Sequence, residues 1–316
     1  MEKVAFRKIS GAMLTVGVFW FVISYLPRFL WNFTFDDYIP NSTLSSIVSF
    51  IFSIIMYSLA ILIFYFFLRK LPKISGEPKK KMKVFEFLGW ACSMRGVAML
   101  LSLIGVLLFI LLVIIVHGPS AIMEMLTKSN PLLVFGSADM ITNLILISIV
   151  APIMEEIMFR RLFLDVLRPF GDLISILYSG IMFGLLHMNI QQITYACGLG
   201  IMLGYVMVKT NNLICCIALH ASLNATTAIL LPFMEDIADI NDLSRLIPFI
   251  SIIGALVFIS VVGLVLFFVY LKRVNLEKAR FRFLVPINAK LVLFNIGTIP
   301  YTLLCLAVSV LVIIEL

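Results

Sequence analysis

The chain has 316 residues, of which 62% are hydrophobic and 13% charged, against roughly 25% charged in a soluble domain. That balance excludes a soluble globular protein and describes an all-α, polytopic transmembrane helix bundle, read as a single membrane-embedded domain over 1–316. The net charge of +7 does not call for nucleic acid, because the basic residues gather in short loops between apolar runs, where they set topology.

Lys3, Arg7 and Lys8 precede the first apolar run. No small-residue cleavage site follows, so this start is expected to be a retained anchor and not a signal peptide. Runs long enough to cross lie at about 11–30, 42–68, 90–116, 138–160, 173–189, 193–209, 213–232, 246–271 and 291–314, since roughly 20 apolar residues cover a bilayer core. The expectation is eight or nine spans, with a motif-bearing core at about 138–232. Trp31, Phe33, Phe35 and Tyr38 are expected to form an aromatic belt at the membrane surface. One alternate set of loops is basic: Lys3/Arg7/Lys8, Arg69 to Lys83, Arg160/Arg161/Arg168, Lys209, and Lys272 to Lys290. The intervening loops carry Asp36/Asp37, Glu124/Lys128 and Glu235/Asp236/Asp239/Asp242. With nine spans this alternation puts the N-terminus in the cytoplasm and the C-terminus outside. The loop from Glu77 to Lys81 reads first as a topology signal and second as a contact for anionic lipid. The five cysteines all lie in apolar runs, which argues against a disulfide framework.

The fourth run carries Glu155-Glu156-Ile157-Met158-Phe159-Arg160. A charge near the bilayer centre costs at least about 2.5–3.5 kcal/mol on insertion scales, so these are functional candidates by default. The helical pattern continues through Leu162, Phe163, Val166 and Leu167 to Pro169-Phe170-Gly171, a turn signal. Beyond that turn an antiparallel hairpin brings His187 opposite Glu155, roughly 22–25 Å from the turn at 1.5 Å per residue. A second turn near Asn211-Asn212 returns the chain toward His220 and Asn224. The expected result is one shared site in the cytoplasmic half of the bilayer.

Adjacent glutamates point about 100° apart on a helix. Arg160 lies four residues after Glu156, where an ion pair is favourable. Glu156/Arg160 therefore reads as the structural pair and Glu155 as the working carboxylate. Phe183 stands one turn before His187 on the same face. Asn224 stands one turn after His220, either to donate to a developing oxyanion or to make an interhelical polar contact. Cys216, one turn before His220, reads as an apolar filler in preference to a soft metal ligand. Gly180/Gly184 and Gly198/Gly200/Gly204 read as close helix packing. His117 reads as interfacial, and Arg95 as a snorkelling cation. Asn143, Asn189, Gln191 and Gln192 either line a cavity or cap helices. There is no H-E-x-x-H, G-x-S-x-G or phosphate-binding loop.

The ordered set Glu155-Glu156-x-x-x-Arg160, Phe183-x-x-x-His187 and His220-x-x-x-Asn224 resembles the type II CAAX prenyl endopeptidase and bacteriocin-processing family, also called the Abi family of intramembrane proteases. The resemblance covers about 150–226. It implies peptide-bond hydrolysis in or near the cytoplasmic side of the membrane, with Glu155 and His187 activating water and His220 and Asn224 stabilising the oxyanion. Zinc held by Glu155, His187 and His220 and a metal-free glutamate base are equally coherent with this residue set. The implied partner is a peptide or protein substrate reaching the lipid bilayer, with roles in bacteriocin processing or immunity among those known for relatives. Two other classes compete: a non-catalytic membrane interaction or immunity protein with a membrane-protein partner, and a secondary transporter with an ion site at Glu155/Glu156. Transporters favour paired broken helices, whereas Pro27, Pro152 and Pro300 show no paired arrangement.

Overall fold

The computed structural model describes residues 2–26, 42–74, 82–122, 144–235, 243–276, 292 and 294–315. Trp31, Phe33, Phe35, Tyr38, the acidic pair Asp36/Asp37, the loop 77–81, Glu124, Lys128, Asn143, Asp236, Asp239, Asp242 and the basic segment 277–290 lie outside the described residues. Among the described residues every regular element is helical. They are α1 (Glu2–Ser24), α2 (Ser42–Leu68), α3 (Val84–His117), an irregular motif helix running from Leu146 to Phe170, α4 (Asp172–Leu185), α5 (Ile190–Thr210), α6 (Leu213–Glu235), α7 (Leu243–Leu271) and α8 (Thr298–Glu315). Among the described residues six helices are long and apolar enough to cross a membrane, and Asp172–Leu185 and Leu213–Thr226 are apolar but shorter. The expected eight or nine spans is thus an approximate count. Pro248 lies inside α7, a further proline beyond those noted in the sequence.

Small residues decide which helices touch. A Cβ built on Gly96 of α3 falls 2.5 Å from the Leu264 backbone nitrogen of α7. One built on Gly180 of α4 falls 2.5 Å from the Ile201 nitrogen of α5, and one on Gly200 of α5 falls 2.8 Å from the Gly180 carbonyl oxygen. The α4–α5 hairpin is therefore closed by backbone-to-backbone contact, the means by which membrane helices gain packing without a hydrophobic drive between them.

The ends of that hairpin set the depth of the site. At one end Gly171 adopts φ 107°, a conformation open to glycine and costly for residues with a Cβ, and the chain reverses where Pro169-Phe170-Gly171 predicts. At the same end Arg168 donates to the Ile74 carbonyl at 3.4 Å and to Asn211 Oδ1 at 3.3 Å. Asn211 ends α5 with φ 49°, as asparagine tolerates. At the tip, Asn189 Oδ1 caps α5 by accepting from the Gln191 amide at 2.9 Å, and the same residue lines a small pocket with Phe109 and Ile313. The first turn of α5 then sits on Gly105, where a Cβ would meet the Gln191 carbonyl oxygen at 2.7 Å. Beyond it Asn189 and Ile190 line a pocket with Phe109, eight residues before His117, so the tip stops roughly 12 Å short of the far end of α3 at 1.5 Å per residue. The 14 residues of α4 reach only about 21 Å by the same rise, less than a ~30 Å hydrocarbon core. The segment expected as the crossing span 173–189 is thus half of a hairpin ending partway along the bundle.

The motif helix is irregular for a chemical reason. Pro152 has no N–H. The Ala151 amide bonds the Leu146 carbonyl, five residues back, in a π-type turn spanning Leu146–Val150. In that register the Ile147 carbonyl needs a donor at position 152, which the proline lacks. Asn224 Nδ2 on α6 supplies one at 3.0 Å.

Candidate active site

The motif helix contributes Glu155, Glu156 and Arg160, α4 contributes Phe183, the tip of the hairpin His187, and α6 His220 and Asn224. Glu156 and Arg160 are both fully buried, with Arg160 Nε 3.0 Å from Glu156 Oε2. The N–H is not aimed at that oxygen as a hydrogen bond requires, so charge attraction holds the pair. Arg160 also donates from Nη1 to Ser179 Oγ at 3.2 Å, and its Cζ lies 5.3 Å from the centroid of the Phe183 ring. The i,i+4 spacing makes this pair geometrically available. Breaking it would leave a charge buried alone, which is costly.

The other oxygen of Glu156 binds His220: Nδ1 lies 3.0 Å from Glu156 Oε1. A carboxylate can only accept, so this nitrogen carries the proton and Nε2 is the free one. His220 Nε2 stands 3.8 Å from Glu155 Oε2, too far for a direct hydrogen bond. Glu155 Oε1 accepts from the Tyr57 hydroxyl of α2 at 2.7 Å. One chain of contacts therefore runs Arg160, Glu156, His220, Glu155, Tyr57, drawing on three helices.

His187 repeats the His220 pattern. Its Nδ1 lies 3.1 Å from the Phe183 carbonyl, which again leaves Nε2 uncommitted. It lies within electrostatic range of Glu155 and of His220. The Phe183 ring packs edge-on against both imidazoles, with centroids 5.2 Å from His187 and 5.8 Å from His220. The next residue, Met188, is fully buried and holds φ 48°, an uncommon conformation for a residue with a side chain. Unusual backbone of this kind concentrates at functional sites.

The structure thus brings Glu155, Glu156, Arg160, Phe183, His187 and His220 together. It turns the amide of Asn224 to the Ile147 carbonyl instead of leaving it free. Cys216 is buried with Sγ 3.7 Å from the Leu203 carbonyl. Arg95 does not snorkel to solvent: Nη1 donates to Thr226 Oγ1 on α6 at 2.8 Å, because α6 packs alongside α3 there. His117 Nε2 meets the Ile313 carbonyl at 2.7 Å at the far end of α3. Tyr57 is a site residue that sequence reasoning missed, as is Tyr25, whose hydroxyl donates to the His187 carbonyl at 3.4 Å; both belong to distant apolar runs with no motif around them.

Residues 137–226 match the family model of Rce1-like type II CAAX prenyl endopeptidases. The match contains all three motifs and supports an intramembrane endopeptidase as the general activity, within a multi-pass membrane protein. No curated protein and no solved structure matches the chain. Within the matched segment, zinc is the metal to test against the residues. Among the described residues no three His, Cys, Asp or Glu side chains converge as ligands of one ion. His220 donates Nδ1–H to a carboxylate, an outer bond that zinc-held histidines also make, and holds Nε2 at 3.8 Å from Glu155, so what is lacking is the convergence of three ligands. The trio Glu155, His187 and His220 does not assemble as a tetrahedral set in this arrangement, whose ligand atoms would lie about 2.0–2.2 Å from the ion.

Proposed function

We propose that the protein is an intramembrane endopeptidase that hydrolyses a peptide bond near the cytoplasmic face, with Glu155 as the base. The observation that carries this reading is the sharing of one histidine by both glutamates, with Glu156 holding Nδ1 and Glu155 facing Nε2. Glu155 Oε2 and the imidazole edge of His220 leave a gap of the size a bridging water fills. His187 lies within electrostatic range of both groups.

In the proposed reaction Glu155 takes a proton from water as the oxygen attacks the scissile carbonyl. His187 orients that water. The carbonyl oxygen becomes an oxyanion, which the remaining N–H of Asn224 and His220 stabilise, His220 entering the cycle as the imidazolium with one proton on Nδ1 toward Glu156 and a second, taken up from bulk water, on Nε2. The C–N bond breaks, and Glu155 returns the proton to the leaving amine. Glu156 and Arg160 hold His220 in register, and Phe183 packs both imidazoles. The substrate is a peptide or protein reaching the membrane, with prenylated C-termini and bacteriocin precursors the two classes the family resemblance implies. The basic loops support a cytoplasmic N-terminus and put the Gly171/Asn211 end of the hairpin on the same side.

The test is a quantitative survey of protein termini in membranes carrying wild type or Glu155→Ala at matched inserted abundance. Termini present only with wild type are the expected result, and they name the substrate and the cut. Identical termini in the two membranes would overturn the reading.

A further inference from the structure

The two oxygens of Glu155 have different surroundings. Oε2 faces His220 Nε2 across 3.8 Å, and Oε1 accepts the Tyr57 hydroxyl at 2.7 Å. The terminal torsion of a glutamate is broad and roughly two-fold, so nothing within Glu155 itself chooses which oxygen faces the histidines. A hydroxyl donor to a charged oxygen is among the stronger hydrogen bonds, and this one comes from outside the matched segment 137–226.

Tyr57 is itself held at the right height. Phe64, two turns along α2, is fully buried and packs on Phe159 and Phe163 of the motif helix, with ring centroids 6.1 and 5.4 Å away. Phe159 follows Glu155 by one turn and Phe163 by two, so the same register of α2 on the motif helix seats both Phe64 and Tyr57. The Trp20 ring of α1 lies 5.1 Å from the Tyr57 ring, tilted by 54°, and restrains it from the other side.

We propose that Tyr57 is a positioning residue for the hydrolysis: its hydroxyl fixes Oε1 of Glu155 and so leaves Oε2 as the oxygen turned to the reacting water. This rests on the endopeptidase reading above. Tyr57 touches the carboxylate and not the substrate, so its loss slows turnover without weakening substrate binding.

The test compares full-length wild type, Tyr57→Phe and Glu155→Ala in membranes at matched inserted abundance, following the wild-type-dependent termini over time and over a range of substrate abundance. Tyr57→Phe keeps the ring against Trp20 and removes only the donor. A loss of alignment at the reacting group predicts a fall of about ten- to a hundredfold in the maximal rate per molecule, with the half-saturating substrate level unchanged. A wild-type rate in Tyr57→Phe beside a silent Glu155→Ala overturns the positioning role and leaves the endopeptidase reading standing. Identical termini in wild type and Glu155→Ala overturn both. Should Tyr57→Phe accumulate too poorly for the rate measurement, melting in lipid of the smaller amounts of wild type, Tyr57→Phe, Glu155→Ala and the double variant that can be purified decides the matter without activity, alanine leaving the Tyr57 hydroxyl no acceptor. Non-additive shifts support the bond, and additive shifts overturn it.

Discussion

α5 and α7 are both long and apolar enough to cross a membrane, yet 61% of the most apolar stretch of α5 is buried by the rest of the protein against 11% of that of α7. α5 presents Ala196, Gly200 and Gly204 to its neighbours and stands beside the charged site. α7 shows Ile250, Phe258, Val265 and Phe268 to its surroundings. In a soluble protein the most apolar helix is the best candidate for the core. Here the order is reversed, because lipid is as apolar as leucine and only small or polar residues gain by facing protein. The chemistry therefore sits among the less hydrophobic helices, and the most hydrophobic ones are the wall.

The largest effect that would break this contrast is expected at the buried charges. Arg160→Ala leaves the fully buried Glu156 without its cation, and removal of one partner from such a pair costs about 3–5 kcal/mol. The variant should accumulate poorly and melt early in detergent. A normal melting temperature would mean that the buried half does not depend on its ion pair.

Asn224 comes next. Asn224→Ala leaves the half-buried Ile147 carbonyl without a donor, at a cost toward the lower end of the about 1–3 kcal/mol of a fully buried unsatisfied group. Pro152→Ala restores a backbone N–H to the motif helix, so the double variant should melt closer to the Pro152→Ala protein than Asn224→Ala does to wild type. Strictly additive shifts would show that Asn224 is not serving that carbonyl.

The smallest and sharpest comparison uses one substitution on each helix. Gly200→Ala on α5 places a Cβ 2.8 Å from the Gly180 carbonyl oxygen and should destabilise by about 1–3 kcal/mol, as overpacking does. Gly254→Ala on α7 meets nothing within 4 Å and should be neutral or stabilising by up to about 1 kcal/mol, the helix-propensity difference. Equal melting shifts in detergent would erase the distinction between core and wall.

Much of the site is legible in the amino-acid sequence. The i,i+4 pairs Glu156/Arg160, Phe183/His187 and His220/Asn224 can be read because helical spacing alone makes each pair neighbours. The turn at Pro169-Phe170-Gly171 can be read because backbone chemistry there is local. Arg95 is misread as snorkelling because its neighbour Thr226 is 131 residues away in the chain.

The amino-acid sequence by itself determined a helical membrane protein, the positions of its apolar runs, the hairpin turn and the three motifs. Each follows from composition or from spacing within one helix. Only the tertiary structure decided that His220 bridges the two glutamates, that Asn224 answers the carbonyl stranded by Pro152, that Gly105 stops the hairpin partway along α3, and that Tyr57 reaches Glu155. Those contacts join residues on different helices. They depend on how far one backbone slides along another before its glycines lock, and no periodicity within a single helix records that distance.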